Sequence, residues 1–594
     1  MNKPLAACLL LCILIWFPIR GYGEVQLRTP THLVALPQGQ TDDGHWQIYI
    51  SWRLDRNNSK AEYHVYRSTD NSTFAKLTAK PISDSTNYVD AADLQYERTY
   101  YYYVTATDSK TGLESPPSVV VSAETGSKTN IFMRLPQIVA NPAVGRVKIG
   151  DINGDGQPDM LVLNKRLTEW IPQEILDDDE IEQIEAHGNV HVMVFYNDGT
   201  VACDIDLGET DSLPVIPWTF WDLTGDGKDE LIGIKKDPTI NDYCLFVINP
   251  DYKGADGYEI LARVPIPSAN YWWEPKTIKY KTISIAYLDG QRPYILMGSG
   301  HQFNQRRYVR AYTYDGNPLL TTRWEFYEAP NVGISTSHQF EVVDVDADGK
   351  DEAFLGIYVF DQDGLWQSRW GGNQWSHPDG VCAGYIRETP SDDPCKERQE
   401  LYFYLEQNPM GIHMTDCVGN EIKKWSDIDD CAESKHAHAG WIGDVVDRTP
   451  GMEVWVYYKR PGAGMCCPYL YDSDGNKFEI IGDSLHFGYG PMDWDGLMPH
   501  EVVCITDINR LVVDETDKSL LYLRPLAEPP EIGNGVKFTM DMIGDYREEI
   551  VNVVNGTDGY LYLEVHTNNS YIKRRKFSPS DNRQYLQKHR WAGH

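Results

Sequence analysis

The sequence predicts an all-β protein in two parts, an N-terminal β-sandwich followed by an eight-bladed calcium-binding β-propeller. Three observations predict it. The segment DINGDGQPD beginning at Asp151 returns in altered form as DLTGDGKDE at Asp222 and DVDADGKDE at Asp344, each leading into a short apolar run. Apolar and polar residues alternate with period two from about Arg28 to Ala123, the signature of half-buried strands. Beyond Pro136, strand signals separated by Gly-Asp turns recur without any long stretch of helical periodicity.

The first element is not part of the fold. Lys3, an apolar run from Leu5 to Phe17 and the small-x-small triplet Gly21-Tyr22-Gly23 before Glu24 read as a cleaved secretory signal over residues 1–23. Leu5-Ala6-Ala7-Cys8 resembles a lipoprotein box superficially, but the apolar run continues past Cys8. No later run is long and apolar enough to span a bilayer. The mature protein is therefore expected to be secreted, extracellular or periplasmic, and a monomer without membrane attachment. Cysteine usage agrees: Cys382 with Cys395, and Cys417 with Cys431, are close pairs in loop-like sequence and fit an oxidising compartment. The formal charge of -33 argues against nucleic acid and anionic membranes as partners. Part of that charge counts metal ligands, since many carboxylates sit in the Asp-rich loops.

The second element, residues 24–128, contains WQIYISW ending at Trp52, EYHVYRS at Glu62 and TYYYYVTATD at Thr99, with polar turns between. This resembles a fibronectin type III domain, with Trp52 in its core and a small, polar linker from Thr125 to Asn130. The third element, residues 129–594, contains seven or eight related units in roughly 460 residues, which suits four-stranded propeller blades of about 40 to 50 residues each.

In the Asp-rich units, oxygens at alternate positions converge on one point once Gly lets the loop turn tightly, which is how a hard cation gathers its ligands. The flanks are strands rather than the helices of an EF-hand. The expected ligand sets are Asp151, Asn153, Asp155 and Asp159 for one Ca2+, Asp222, Thr224, Asp226 and Glu230 for another, and Asp344, Asp346, Asp348 and Glu352 for a third. These ions are read as structural, each holding a turn whose carboxylates would otherwise repel.

AYLDGQRPYILMGSG at Ala286, SHQFEVVDVDADGKDEAFLG at Ser337, VFDQDGLWQS at Val359, PGMEVW at Pro450 and GDYREEIV at Gly544, in that order, resemble the rhamnogalacturonan lyases of polysaccharide lyase family 11. The resemblance implies a fibronectin-like domain before an eight-bladed calcium-rich propeller. It also implies β-elimination between galacturonate and rhamnose in rhamnogalacturonan I, a pectin backbone and an acidic polysaccharide. Asn534-Gly535-Val536-Lys537 resembles the family's Asn-Gly-Thr-Lys stretch, which makes Lys537 the candidate for neutralising the uronate carboxylate or for the base, and Asn534 and Gly535 candidates for substrate binding. An exposed Lys without function is the alternative. His377-Pro378-Asp379 stands where the family has His-Gly-Asp, so His377 is a candidate base or acid.

Two departures accompany these matches. Tyr404-Leu405-Glu406 replaces the family's Val-His-Glu strand, and Ala439 stands where the family has the Arg of a Gly-Arg-Gly. Around Ala439 lie His436 and His438, which on an extended segment share a face and can serve as base, as metal ligands or as loop decoration. Lys435 adds positive charge beside them, favourable to an acidic polymer. Arg306 and Arg307 follow the strand after AYLDG, where a guanidinium can hold a uronate carboxylate bidentately, whereas Arg547 is expected to pair with loop acids. A lyase acting on another acidic polysaccharide, or a propeller that binds glycan without cleaving it, are the alternative functions.

Overall fold

In a computed structural model of the chain, Ile48 and Ile50 of the strand Trp46–Ser51, with Trp52 beyond it, face Tyr63 and Val65 of the strand Glu62–Ser68 in one buried core. The structure describes residues 27–55, 58–127, 131–134, 147–166, 189–208, 217–254, 257–266, 281–299, 307–328, 337, 340–367, 378–387, 398–405, 412–425, 436–447, 449–460, 464–481, 490–503, 508–525, 538–555, 561–579 and 582–590. The core lies between a three-stranded sheet (Val34–Gln40, Trp46–Ser51, Asn87–Asp90) and a four-stranded one (Ala75–Lys76, Glu62–Ser68, Thr99–Thr107, Val121–Glu124). Alternation sets this arrangement: along Thr99–Thr107, Tyr100, Tyr102 and Val104 point inward while Tyr101 and Tyr103 stay half-exposed.

Eight further sheets follow among the described residues. They begin with the strands Val147–Gly150, Trp218–Trp221, Lys281–Ala286, Phe340–Val343, Pro378–Gly384, His436–Gly443, Gly490–Met492 and Phe538–Met540, and are called sheets one to eight in that order. Each is an antiparallel meander, to which sheet seven adds Glu479–Ile481 as a parallel edge strand. From sheet one to sheet seven, the first strand of each sheet touches the first strand of the next. VKIG, WTFW and FEVV are buried at every position, because these strands are covered on both faces. That double burial is why they read as unbroken apolar runs while the outer strands alternate. The strand Ile131–Arg134 pairs with Leu561–His566 in sheet eight, so the strand that opens the array in sequence is hydrogen-bonded into the sheet that ends it.

The helix Arg583–Arg590 packs on the first strands of sheets one, three and four. No helix among the described residues is long and apolar enough to cross a membrane. Cys417 is disulfide-bonded, while Cys395 and Cys431 lie outside the described residues.

Candidate functional site

In sheets one, two, four and eight an acidic turn joins the first strand to the second, so the turns 151–158, 222–229, 344–351 and 541–548 all lie at one end of the array. The opposite end receives the starts of the first strands and the turns between second and third strands. Of the sequence candidates, the backbones of Arg307 and His436 are described at that opposite end. His377 immediately precedes Pro378–Gly384, Lys537 immediately precedes Phe538–Met540, and His436 opens His436–Gly443. Arg307 begins the third strand of sheet three, Arg307–Thr313. Arg306, His377, Lys435, Asn534, Gly535 and Lys537 lie outside the described residues, and of Arg307, His436 and His438 only the backbone is described.

That backbone corrects one expectation. The pairing of His436–Gly443 with its neighbour shifts register between Ala437 and Ala439, which puts His438 at a bulge. Alternation does not carry across a bulge, so a shared face for His436 and His438 no longer follows from their spacing. The neighbouring first strand, Pro378–Gly384, has the same irregularity between Pro378 and Gly380. Two adjacent inner strands thus bulge at the same end, a device that re-aims side chains.

At the acidic end, Asp344, Asp346 and Asp348 bring carboxylate oxygens within 4.8 Å of one another. Three hard, anionic oxygens around one point fit a Ca2+ ion, and the Asp344 carboxyl is pushed up by burial and by Asp348 and Asp346 beside it. In the loop at Asp151, the Asp151 carboxylate accepts the Gly154 and Gly156 N–H groups at 2.7 and 2.9 Å, and the Asn153 Oδ1 accepts the Asp155 N–H at 2.9 Å. At Asp222 the carboxylate likewise accepts from Gly225 and Gly227, and Thr224 Oγ1 donates to Glu230 Oε1 at 3.4 Å. The Asp226 Oδ1 accepts the Lys228 N–H at 2.9 Å.

The ninth-position acids do a second job. Asp159 accepts the Ile152 N–H at 2.9 Å, Glu230 the Leu223 N–H at 2.8 Å and Glu352 the Val345 N–H at 3.0 Å. The same bond recurs with Glu453 to Val445 and Val446, Glu501 to Trp494 and Glu549 to Met542, in loops without the DxDxDG pattern. Each acid pins the backbone of its own loop from the start of the second strand. Burial pushes Asp159 and Glu230 up to about 7 and Glu352 up to about 8, with the neighbouring carboxylates adding to the effect. Sequence reading missed this role; its signal was the acid at the same offset in units that lack the other ligands.

This end is also covered. The helix Arg583–Arg590 sets Arg583 against Asp351, Gln587 Nε2 on the Ile285 carbonyl at 3.0 Å, and Tyr585 OH on Glu548 at 2.6 Å. The sandwich lies against sheet eight, where Gly544, at φ 79°, passes so close to His32 and Arg53 that a Cβ would stand 2.9 Å from the His32 Cβ.

Residues 278–591 match the family described as Rhamnogalacturonan lyase family 11, C-terminal domain. The chain is 26% identical over 582 residues to the rhamnogalacturonan endolyase YesW of Bacillus subtilis (strain 168), covering 90% of this chain and 84% of that one. It is 25% identical over 573 residues to the rhamnogalacturonan exolyase YesX of the same organism, covering 86% and 85%. Among solved structures, a rhamnogalacturonan lyase PL11 of Bacillus licheniformis superposes with a TM-score of 0.69 at 23% identity over 95% of both chains. That likeness shows the fold.

Proposed function

Because the chain belongs to rhamnogalacturonan lyase family 11, we propose that it is a secreted, calcium-dependent polysaccharide lyase that cleaves the rhamnogalacturonan I backbone by β-elimination. The eight sheets form the blades of a propeller in this reading, supported by the succession of touching first strands and by the return of Ile131–Arg134 to the last sheet. The observation that carries the function is the family match over residues 278–591.

Eliminating across a uronate requires removal of the proton beside its carboxylate, and negative charge then builds on that carboxylate. A cation must balance it, and Lys537, Arg306 or Arg307 supplies positive charge in this scheme. His377 takes the proton or protonates the leaving oxygen, and His436 or His438 fills the complementary role. Asn534 and Gly535 bind substrate, and Lys435 favours the approach of an acidic polymer. Ca2+ held by Asp344, Asp346 and Asp348 fixes the blade turn at the other end. The disulfide of Cys417 supports export through the 1–23 segment.

Binding without cleavage is the second reading, favoured by Ala439 where the family carries Arg. The test is the mature protein with rhamnogalacturonan I and a panel of other polyuronates, with calcium and with chelator, following the ultraviolet absorbance of an unsaturated uronate. A rise on rhamnogalacturonan I that chelator suppresses supports the proposal. Binding with no rise on any polymer moves the assignment to the second reading.

A further inference from the structure

At three sheet junctions a protein carboxylate occupies the same place. Asp229 accepts the Asp151 N–H at 2.7 Å, Asp351 accepts the Tyr287 N–H at 2.6 Å, and Glu548 accepts the Asp493 N–H at 2.9 Å. Each acid is the residue before the second strand of its own sheet, and each amide belongs to the first loop residue of the sheet before it. Between sheets two and three the corresponding amide is that of Asp222, and the residue before the second strand, Tyr294–Ser299, is Pro293. Proline has no carboxylate to offer. A cleft of about 550 Å³ opens at this junction, lined among others by Trp221, Asp222, Tyr287, Gln291, Arg292 and Arg583. That volume lies in the range of small-molecule sites.

A second junction with proline shows the contrast. Between sheets eight and one Pro158 stands at the same position, but there the Asp541 N–H donates to the Tyr585 hydroxyl at 3.1 Å and the sandwich residues His32 and Arg53 wall a smaller cavity of about 170 Å³. Protein groups have taken over that junction. At the junction of sheets two and three the walls offer the basic Arg292 and Arg583 and the aromatic Trp221 and Tyr287 beside Asp222 and Asp229, whose carboxylates bond to backbone amides. Arg583 lies over the Tyr287 ring at 4.5 Å, and Arg292 Nε meets Asp289 at 2.9 Å, the two side chains being 35% and 48% exposed. A guanidinium carries five donors, so an arginine that meets one carboxylate can meet another. The Trp221 and Tyr287 rings stand 6.3 Å apart and tilted by 58°. The Asp222 carboxylate is turned into its own loop, on Gly225 and Gly227.

We propose that the cleft between sheets two and three binds a uronate residue, its carboxylate taking the place that Asp229, Asp351 and Glu548 fill at three other junctions and its ring lying against Tyr287. The site is at the acidic-loop end, remote from the strand ends next to His377 and Lys537, and it holds acidic glycan without reacting with it. Arg292 and Gln291 of the loop, with Arg583 of the helix, set its preference for a charged over a neutral sugar.

The test is calorimetric titration of the full-length protein with trigalacturonate and, as the neutral counterpart, galactotriose. Pro293→Asp supplies the missing carboxylate from the protein itself and Arg292→Gln removes a guanidinium. Each is expected to weaken the trigalacturonate affinity of this site by about tenfold or more, galactotriose is expected not to bind, and Pro293→Asp is expected to raise the unfolding temperature. The rate of rhamnogalacturonan cleavage is not the readout, so failure of the lyase reading leaves this result standing. No trigalacturonate binding by the native chain, binding unchanged in both variants, or equal binding of galactotriose overturns the proposal.

Discussion

Arg547 is 1% exposed and sits between the sandwich and sheet eight. Its Nη2 donates to Asp545 and to the Tyr49 hydroxyl, both at 2.6 Å, and the Tyr49 hydroxyl in turn donates to Asp545 at 2.8 Å. Removing one member of a buried pair leaves the other charge without compensation, so Arg547→Ala is expected to cost about 3–5 kcal/mol in urea unfolding, and Tyr49→Phe about 1 kcal/mol. The pairing of Arg547 with an acid was legible in GDYREE; that Tyr49, nearly five hundred residues earlier in sequence, completes it was not, because nothing local in a strand reading WQIYIS marks an outward Tyr as an interface residue. Glu453 gives a pH prediction at the same scale. Burial pushes its carboxyl from 4.5 up to about 7 against the hydrogen bonds of Thr449, Val445 and Val446. The folded state therefore holds this proton more tightly than the unfolded one. Its contribution is full below about 4.5 and is lost as pH rises through about 7, on the order of 3 kcal/mol in all. Glu453→Gln is expected to flatten the pH dependence of unfolding in that window.

At the scale of the element, the acidic loop divides its carboxylates between two tasks. Asp344, Asp346 and Asp348 converge on one point, while Glu352 turns back to the Val345 amide and the preceding Asp351 reaches across to sheet three. Asp346→Ala is therefore expected to weaken Ca2+ binding in calorimetric titration by about tenfold, whereas Glu352→Gln, whose amide oxygen can still accept the N–H, costs about 1 kcal/mol of stability and leaves Ca2+ affinity nearly unchanged. Loss of both effects on the two sides would contradict this division. The loops themselves were legible because alternating oxygens and Gly have one efficient use. That Asp159, Glu230 and Glu352 also accept an amide N–H of their own loop was not legible, because spacing alone does not show which backbone group an oxygen meets. The bulge at His438 was hidden for a similar reason: a bulge is a property of the pair of strands, and HAHAG read alone looks regular. Ala347 carries a trace of the same limit, holding φ 60° where the other two loops place Gly154 and Gly225 at 76°.

Across the whole molecule, the acidic-loop end of the array is tied together by the C-terminal helix. The helix Arg583–Arg590, which the periodicity of the sequence did not announce, touches sheets one, three and four and bonds to groups in sheets five and eight through Gln399, Asp541 and Glu548. Eight residues are too few for a helix to persist by itself, so its helicity follows from these contacts. Deleting residues 582–594 is expected to lower the unfolding temperature, and the loss should exceed that of Arg583→Gln alone. Chelation is expected to lower it as well; an unchanged transition in excess chelator would remove calcium from the account of stability. If the protein eliminates across a uronate as proposed, the mass of the product shows it. Digestion of rhamnogalacturonan I is expected to release fragments lighter by one water than hydrolysis would give, with release abolished in Lys537→Ala and His377→Ala. Fragments carrying the added water, or release that persists in both variants, would contradict it.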